Sequence, residues 1–202
     1  MAKEQTPNLV TPEFRLALGH LFEPREYNGK ETYGLHMLFA KSVNIDDIKK
    51  MAIAAAKKKW PGITGEEMKD RDKFFWSWGD GDTKDYDGFA GNKYVKADRT
   101  KSAGAPAVVD QNRQPLLDSN KVYNGCWGRA HIDAFAWENS GKRGVKLGVI
   151  SFQLIRGDEP FGDSSGLKRA QNVFTDVAGG SEDMENYEDE TPAVDVDSLD
   201  DI

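Results

Sequence analysis

The last 27 residues of this 202-residue chain, 176–202, hold 11 Asp or Glu and no Lys or Arg. So charged a run with so few large apolar side chains cannot bury enough surface to fold. Residues 1–175 must therefore supply the fold. The chain as a whole sets 27 Lys+Arg against 34 Asp+Glu, a net charge of −7. With the 11 terminal acids set aside, 27 bases face 23 acids, and residues 1–175 carry +4. The sequence thus reads as a mildly basic body with an acidic, solvated tether. That polarity suits a body that holds a polyanion.

Several classes drop out early. No stretch of 18 apolar residues occurs, so no membrane span is expected. The polar start, residues 1–12, has no apolar core of a signal peptide. It reads as a flexible lead-in with two prolines. A single cysteine, Cys126, precludes an internal disulfide and a cysteine-based zinc site. His20, His36 and His131 are scattered at no metal-binding spacing. A cytoplasmic protein without metal or cofactor is expected.

Between these ends the periodicity is mainly that of strands. Phe14, Leu16 and Leu18 alternate with Arg15, Ala17 and Gly19, and Pro24 is expected to stop this strand. Asn28-Gly29 is a hairpin signal, leading to a second strand over 33–40. One helix is expected over 45–60, with Asn44 as N-cap. Asp46 and Asp47 sit in its first turn, and Lys57, Lys58 and Lys59 in its last. Residues 62–91 read as irregular, interrupted by Phe74-Phe75-Trp76-Ser77-Trp78. Further strands are expected over 93–100, 126–137 and 145–155, with a short apolar segment at 106–110. A basic hairpin tip at 138–144 joins the last two strands. A mainly β domain with one prominent helix and long loops fits a five-stranded Greek-key barrel, the oligonucleotide-binding fold. The expected organisation is lead-in 1–12, barrel 13–175 and disordered acidic tail 176–202.

The chemistry lies in aromatics interleaved with bases, the pattern that stacks nucleobases and tracks phosphates of a single strand. Tyr94 alternates with Lys96, and Arg99 follows on the same segment. Tyr123 precedes Trp127, which Gly125 and Gly128 bracket, and Arg129 is two residues on. Trp137 leads into Lys142 and Arg143 at the hairpin tip, and Arg156 ends the last strand. These ten residues are the candidate nucleic-acid contacts. Each ring could instead fill the core that a β-rich domain needs. Asp80, Asp82, Asp85 and Asp87 do not match a calcium loop, because Lys84 falls where a ligand is required. They leave open a metal-dependent nuclease as the rival enzyme. No phosphate loop, nucleophile elbow or zinc-protease motif occurs, so no catalysis is expected. Asp197, Leu199, Asp200, Asp201 and Ile202 interleave carboxylates with apolar residues, as a docking peptide for a partner protein would. An acidic-tailed interaction module without affinity for DNA is a further rival.

Four segments, in order, resemble a phage family formerly known only as a domain of unknown function and now read as single-stranded DNA-binding proteins. They are Leu21-Phe22-Glu23-Pro24-Arg25, Ala107-Val108-Val109-Asp110, Val122-Tyr123-Asn124-Gly125-Cys126-Trp127-Gly128-Arg129, and Leu154-Ile155-Arg156-Gly157-Asp158-Glu159-Pro160-Phe161-Gly162. The resemblance implies an oligonucleotide-binding barrel, no catalysis, and a replication or recombination role in the cytoplasm of an infected bacterium. Single-stranded DNA would be the ligand. A polymerase, helicase or primase would be recruited through the acidic tail, and self-association on DNA is left open.

Overall fold

The computed structural model describes residues 7–162. The acidic segment 176–202, with the docking residues Asp197, Leu199, Asp200, Asp201 and Ile202, lies outside them.

The described chain runs β1 (Asn8–Val10), β2 (Phe14–Tyr27), β3 (Lys30–Ala40), α1 (Asp46–Lys59), α2 (Gly65–Lys69), β4 (Phe74–Trp76), β5 (Trp78–Asp80), β6 (Asn92–Thr100), β7 (Ala107–Val109), β8 (Trp127–Asn139) and β9 (Lys142–Arg156). Five of these strands close on themselves. β2 pairs antiparallel with β3, and β3 with β6. β6 runs parallel to β9, which pairs antiparallel with β8 along almost its whole length. β8 returns to β2 through Phe14↔Gly128 and Arg15↔Trp127. The circuit β2–β3–β6–β9–β8 is the five-stranded oligonucleotide-binding barrel expected from the alternation.

Period-two burial fills it. Phe14 and Leu16 of β2, Leu35 and Met37 of β3, and Val95 and Ala97 of β6 point inward. Ile132 and Ala134 of β8 and Val145, Leu147 and Val149 of β9 complete the lining. Phe14 meets Phe39 edge-on at 5.7 Å between centroids and lies 6.1 Å from Phe152. α1 adds Ile48, Met51, Ala52, Ala55 and Ala56 to the same core.

Local rules explain where the chain departs from the sequence reading. Pro24 does not end β2, which continues to Tyr27. The register with β3 shifts between His20 and Arg25, so no ladder hydrogen bond is asked of the proline. A second irregularity leaves Leu18 at φ 49°, with Leu16 and Ala17 both buried. A bulge of this kind re-aims the following side chains. Ile45 rather than Asn44 is the N-cap of α1, although the Asn44 side-chain oxygen accepts from Asp46 N at 2.7 Å. The supposedly irregular 62–91 contains α2, started by a capping box between Thr64 and Glu67. Within the lead-in, Asn8–Val10 pairs with β8.

Gly128, where β8 meets β2, is pressed closely against β9. A Cβ on Gly128 would stand 2.3 Å from the Phe152 ring and 2.8 Å from the Gln153 carbonyl. Gly128→Ala is therefore expected to cost about 1–3 kcal/mol through overpacking. A urea-unfolding midpoint equal to that of the unsubstituted protein would contradict it.

Candidate nucleic-acid interface

Alternation that sends Val95 and Ala97 inward turns Tyr94 and Lys96 to the outside of β6. On β3 it turns out His36, directly opposite Lys96. This outer face is the floor of a cleft of about 320 Å³. Leu18 from the β2 bulge, Phe75 from β4, and Lys84, Tyr86 and Phe89 from the β5–β6 connection form its walls. The rings are mutually packed. His36 lies 5.8 Å from Phe89 and 6.2 Å from Tyr94, and Phe89 lies 5.8 Å from Tyr94 and 5.6 Å from Tyr86. Lys84 stands 5.6 Å over the Tyr94 ring, and Lys96 is held by Asp98 at 3.1 Å.

Burial, followed by the nearby Lys96 charge, pushes the His36 imidazole down to a pKa of about 4. At neutral pH the ring is uncharged and behaves as another flat, weakly polar surface. Its Nδ1 is buried and has no hydrogen-bond partner among the described residues. Phe75 and Tyr86 are exposed although large and apolar. Exposed rings beside lysines can stack bases while cations meet phosphates.

Two hairpin tips flank this face, as in the strands and loops by which such barrels bind oligonucleotides. Asn28 and Gly29, with φ of 51° and 71°, form the β2–β3 turn. Tyr27, 78% exposed, stands there between Arg25 and Lys30. At the β8–β9 side, Trp137 lies 6.2 Å from Phe75, and Lys146 stands 5.4 Å over the Trp137 ring. The aromatic surface of the cleft thus continues to Trp137, with Lys142 exposed at the tip beyond.

The ten candidates read from the sequence separate into groups. Tyr94 and Lys96 share the cleft, and Trp137 and Lys142 extend it. Tyr123, Trp127, Arg129 and Arg156 assemble elsewhere, at the other end of β8 and β9. There Arg156 lies 4.4 Å over the Trp127 ring, and Trp127 Nε1 donates to Asp158 at 2.6 Å. The Tyr123 hydroxyl donates to the Asp158 carbonyl at 2.9 Å. Glu13 bridges Arg129 and Arg156, and those two arginines, Arg156 foremost, hold its carboxyl below the usual range. Arg99 and Arg143 are each engaged by a neighbouring part of the protein. Arg99 donates to the carbonyls of Ala103 and Gly104 at 2.7 and 2.8 Å. Arg143 pairs with Glu67 of α2 and lies 5.8 Å over the Trp60 ring.

His36, Phe75, Lys84 and Tyr86 were missed in the sequence. Only Phe75 left a trace there, as the exposed member of the Phe74–Trp76 alternation. The acidic loop offers no open carboxylate cluster. Asp80 and Asp82 both pair with Lys41, and Asp82 also accepts from Gly91 N. No group of three or more metal-ligating side chains occurs among the described residues.

A family model described as Enterobacter phage Enc34, ssDNA-binding protein, matches residues 7–187. The putative protein p50 of Acyrthosiphon pisum secondary endosymbiont phage 1 is 30% identical over 179 residues, covering 84% of this chain and 93% of its own. Among solved structures, the single-stranded DNA-binding protein of bacteriophage Enc34 in complex with ssDNA superposes with a TM-score of 0.63 at 21% identity. That match covers 77% of this chain and 89% of the other. The single-stranded DNA binding protein gp2.5 of bacteriophage T7 superposes at 0.59 and 10% identity, covering 86% and 100%. These superpositions establish a common fold.

The low pKa of His36 has a consequence for stability. The unfolded imidazole binds its proton near pH 6.5 and the folded one only near 4. Its contribution is complete above 6.5 and is lost progressively as pH falls from 6.5 towards 4. Urea midpoints at about pH 7 and about pH 5 should therefore fall more for the unsubstituted protein than for His36→Phe. Equal falls would show that the imidazole does not titrate in this window.

Proposed function

This chain belongs to the family of the Enterobacter phage Enc34 single-stranded DNA-binding protein, and from that membership we propose that it binds single-stranded DNA without base preference through the β3–β6 face. The observation that carries the proposal is the cleft in which His36, Tyr86, Phe89 and Tyr94 pack together beside Lys84 and Lys96. Every base has a π-face, so stacking on such rings tolerates any sequence. Phosphates meet Lys84 and Lys96, and the strand continues over Phe75 and Trp137 towards Lys142. Arg99 and Arg143 would reach phosphate only by leaving their present partners.

The protein acts in phage replication or recombination within the host cytoplasm, covering single strands and performing no chemistry on them. The pairing of Asp80 and Asp82 with Lys41 speaks against the nuclease alternative. Residues 13–175 are the DNA-binding domain and 176–202 the acidic tail. Opposite charges on body and tail support competition of the tail with DNA for the cleft. Its last residues, including Asp197, Leu199, Asp200, Asp201 and Ile202, would dock on replication or recombination proteins.

Titration with oligo-dT, followed by quenching of the five tryptophans, tests the reading. Tyr94→Ala should weaken binding by about 1–3 kcal/mol. Log affinity should fall with log salt by about 0.7 per phosphate contacted. Absence of binding by a folded protein would overturn the proposal. Truncation after residue 175 should tighten binding at low salt, and equal affinities with and without the tail would remove the competition.

A further inference from the structure

The arginine cluster at the far end of β8 and β9 is built like an occupied anion site. Glu13 Oε1 accepts from Arg129 Nη2 at 2.9 Å, and its Oε2 accepts from Arg156 Nη1 at 3.1 Å. One carboxylate thus shares two guanidiniums and leaves the trio with a charge of +1. The Arg156 guanidinium is stacked on Trp127, whose Nε1 is fixed by Asp158. The site is open to solvent, with side-chain exposures of 35% for Glu13, 47% for Arg129 and 51% for Arg156. A phosphodiester, like a carboxylate, offers two oxygens sharing one negative charge, and arginine forks bind either.

Contacts lead from this site back to the cleft. Asp158 pairs with Arg15 at 3.7 Å, and the Arg15 guanidinium lies 4.2 Å over Phe161. Phe161 packs on the small cluster that includes Phe89 and Tyr94. A strand leaving the cleft past Leu18 and Phe161 would reach Arg15, then Trp127 and the two arginines.

We infer that Arg129, Arg156 and Trp127 form a second phosphodiester-binding subsite for single-stranded DNA, and that Glu13 occupies it in the free protein and is displaced by the strand. The inference rests on the function proposed above, and it adds a site with a built-in competitor. Glu13 sets a threshold: short strands held in the cleft never reach it, whereas longer ones must exchange phosphate for carboxylate. No bond is made or broken beyond hydrogen bonds and ion pairs.

Binding of labelled oligo-dT of about 4 and of about 16 or more nucleotides to the full-length protein, across a salt series, tests this. Glu13→Gln should bind the long oligonucleotide several-fold more tightly at low salt, because no carboxylate has to be displaced from the arginines. The short oligonucleotide should bind unchanged. Asp47→Asn, at an exposed position on α1, adds the same charge and should give no such gain on the long oligonucleotide. Adding Arg129→Gln and Arg156→Gln to Glu13→Gln should abolish the gain. A Glu13→Gln protein that matches the unsubstituted one or Asp47→Asn, or that gains equally on both lengths, overturns the inference. Should Glu13→Gln fail to fold, Arg129→Gln/Arg156→Gln alone must weaken binding of the long oligonucleotide and spare the short one. Equal affinities there would also overturn it. If the unsubstituted protein binds neither oligonucleotide, the function itself fails, a result distinct from all of these.

Discussion

Closure of the barrel governs everything that happens on its surface. Once β9 pairs antiparallel with β8 on one side and parallel with β6 on the other, no barrel strand can slip by one residue. A slip would turn Val95 and Ala97 outward and bury Tyr94 and Lys96. The interior packing of Phe14 against Phe39 and Phe152 thus also fixes which side chains face a ligand. The same registry lines His36 up with Lys96 across β3 and β6. A cleft floor made by registry needs no dedicated loop, and the surrounding loops need only add walls.

Charge on this surface is distributed less freely than the sequence suggests. Of the bases first taken for phosphate contacts, Lys96 is held by Asp98, Arg143 by Glu67, and Arg129 with Arg156 by Glu13. Such exposed pairs contribute little to stability. They are correspondingly easy to exchange for a phosphate. Their effect is to keep a body with a small excess of positive charge from presenting a continuous cationic field. Aromatic faces, which no carboxylate can neutralise, would then carry a larger share of the recognition proposed above.

The sequence displayed the architecture better than the site, for physical reasons. Alternation in β2 and β6 is a local signal that sorts their two faces, whereas β3, β8 and β9 are legible in the sequence only as stretches of strand. Tyr94 and Lys96 followed directly from that alternation. Asn28-Gly29 likewise announced its hairpin. Tyr86 and Lys84 sit in a connection without periodicity, and only tertiary packing on Phe89 and Tyr94 brings them to the cleft. His36 was read as one of three isolated histidines, because its cross-strand partner is 60 residues away in sequence. The glycines around Trp127 marked a real close approach, at Gly128 against Phe152. They carried no information about Glu13, which comes from another part of the chain and closes that cluster. Pro24 misled for the opposite reason: a bulge relieves the hydrogen-bond demand that a proline would otherwise violate.

On the function proposed above, the cleft separates two tasks that a polyanion-binding surface must combine. Uncharged rings, His36 among them at neutral pH, form a floor on which bases would stack. Cations stand at its edge on long, mobile stems, as Lys84 does over Tyr94. Protonating His36 would place a poorly solvated charge beside Lys96, and its low pKa measures the resistance of the floor to that change. That Nδ1 has no partner among the described residues belongs to the same arrangement. A hydrogen bond there to a carboxylate would raise the pKa and turn the ring into a cation at the bottom of the cleft. Without such a carboxylate the ring stays neutral, and a neutral floor would accept any base on the function proposed above.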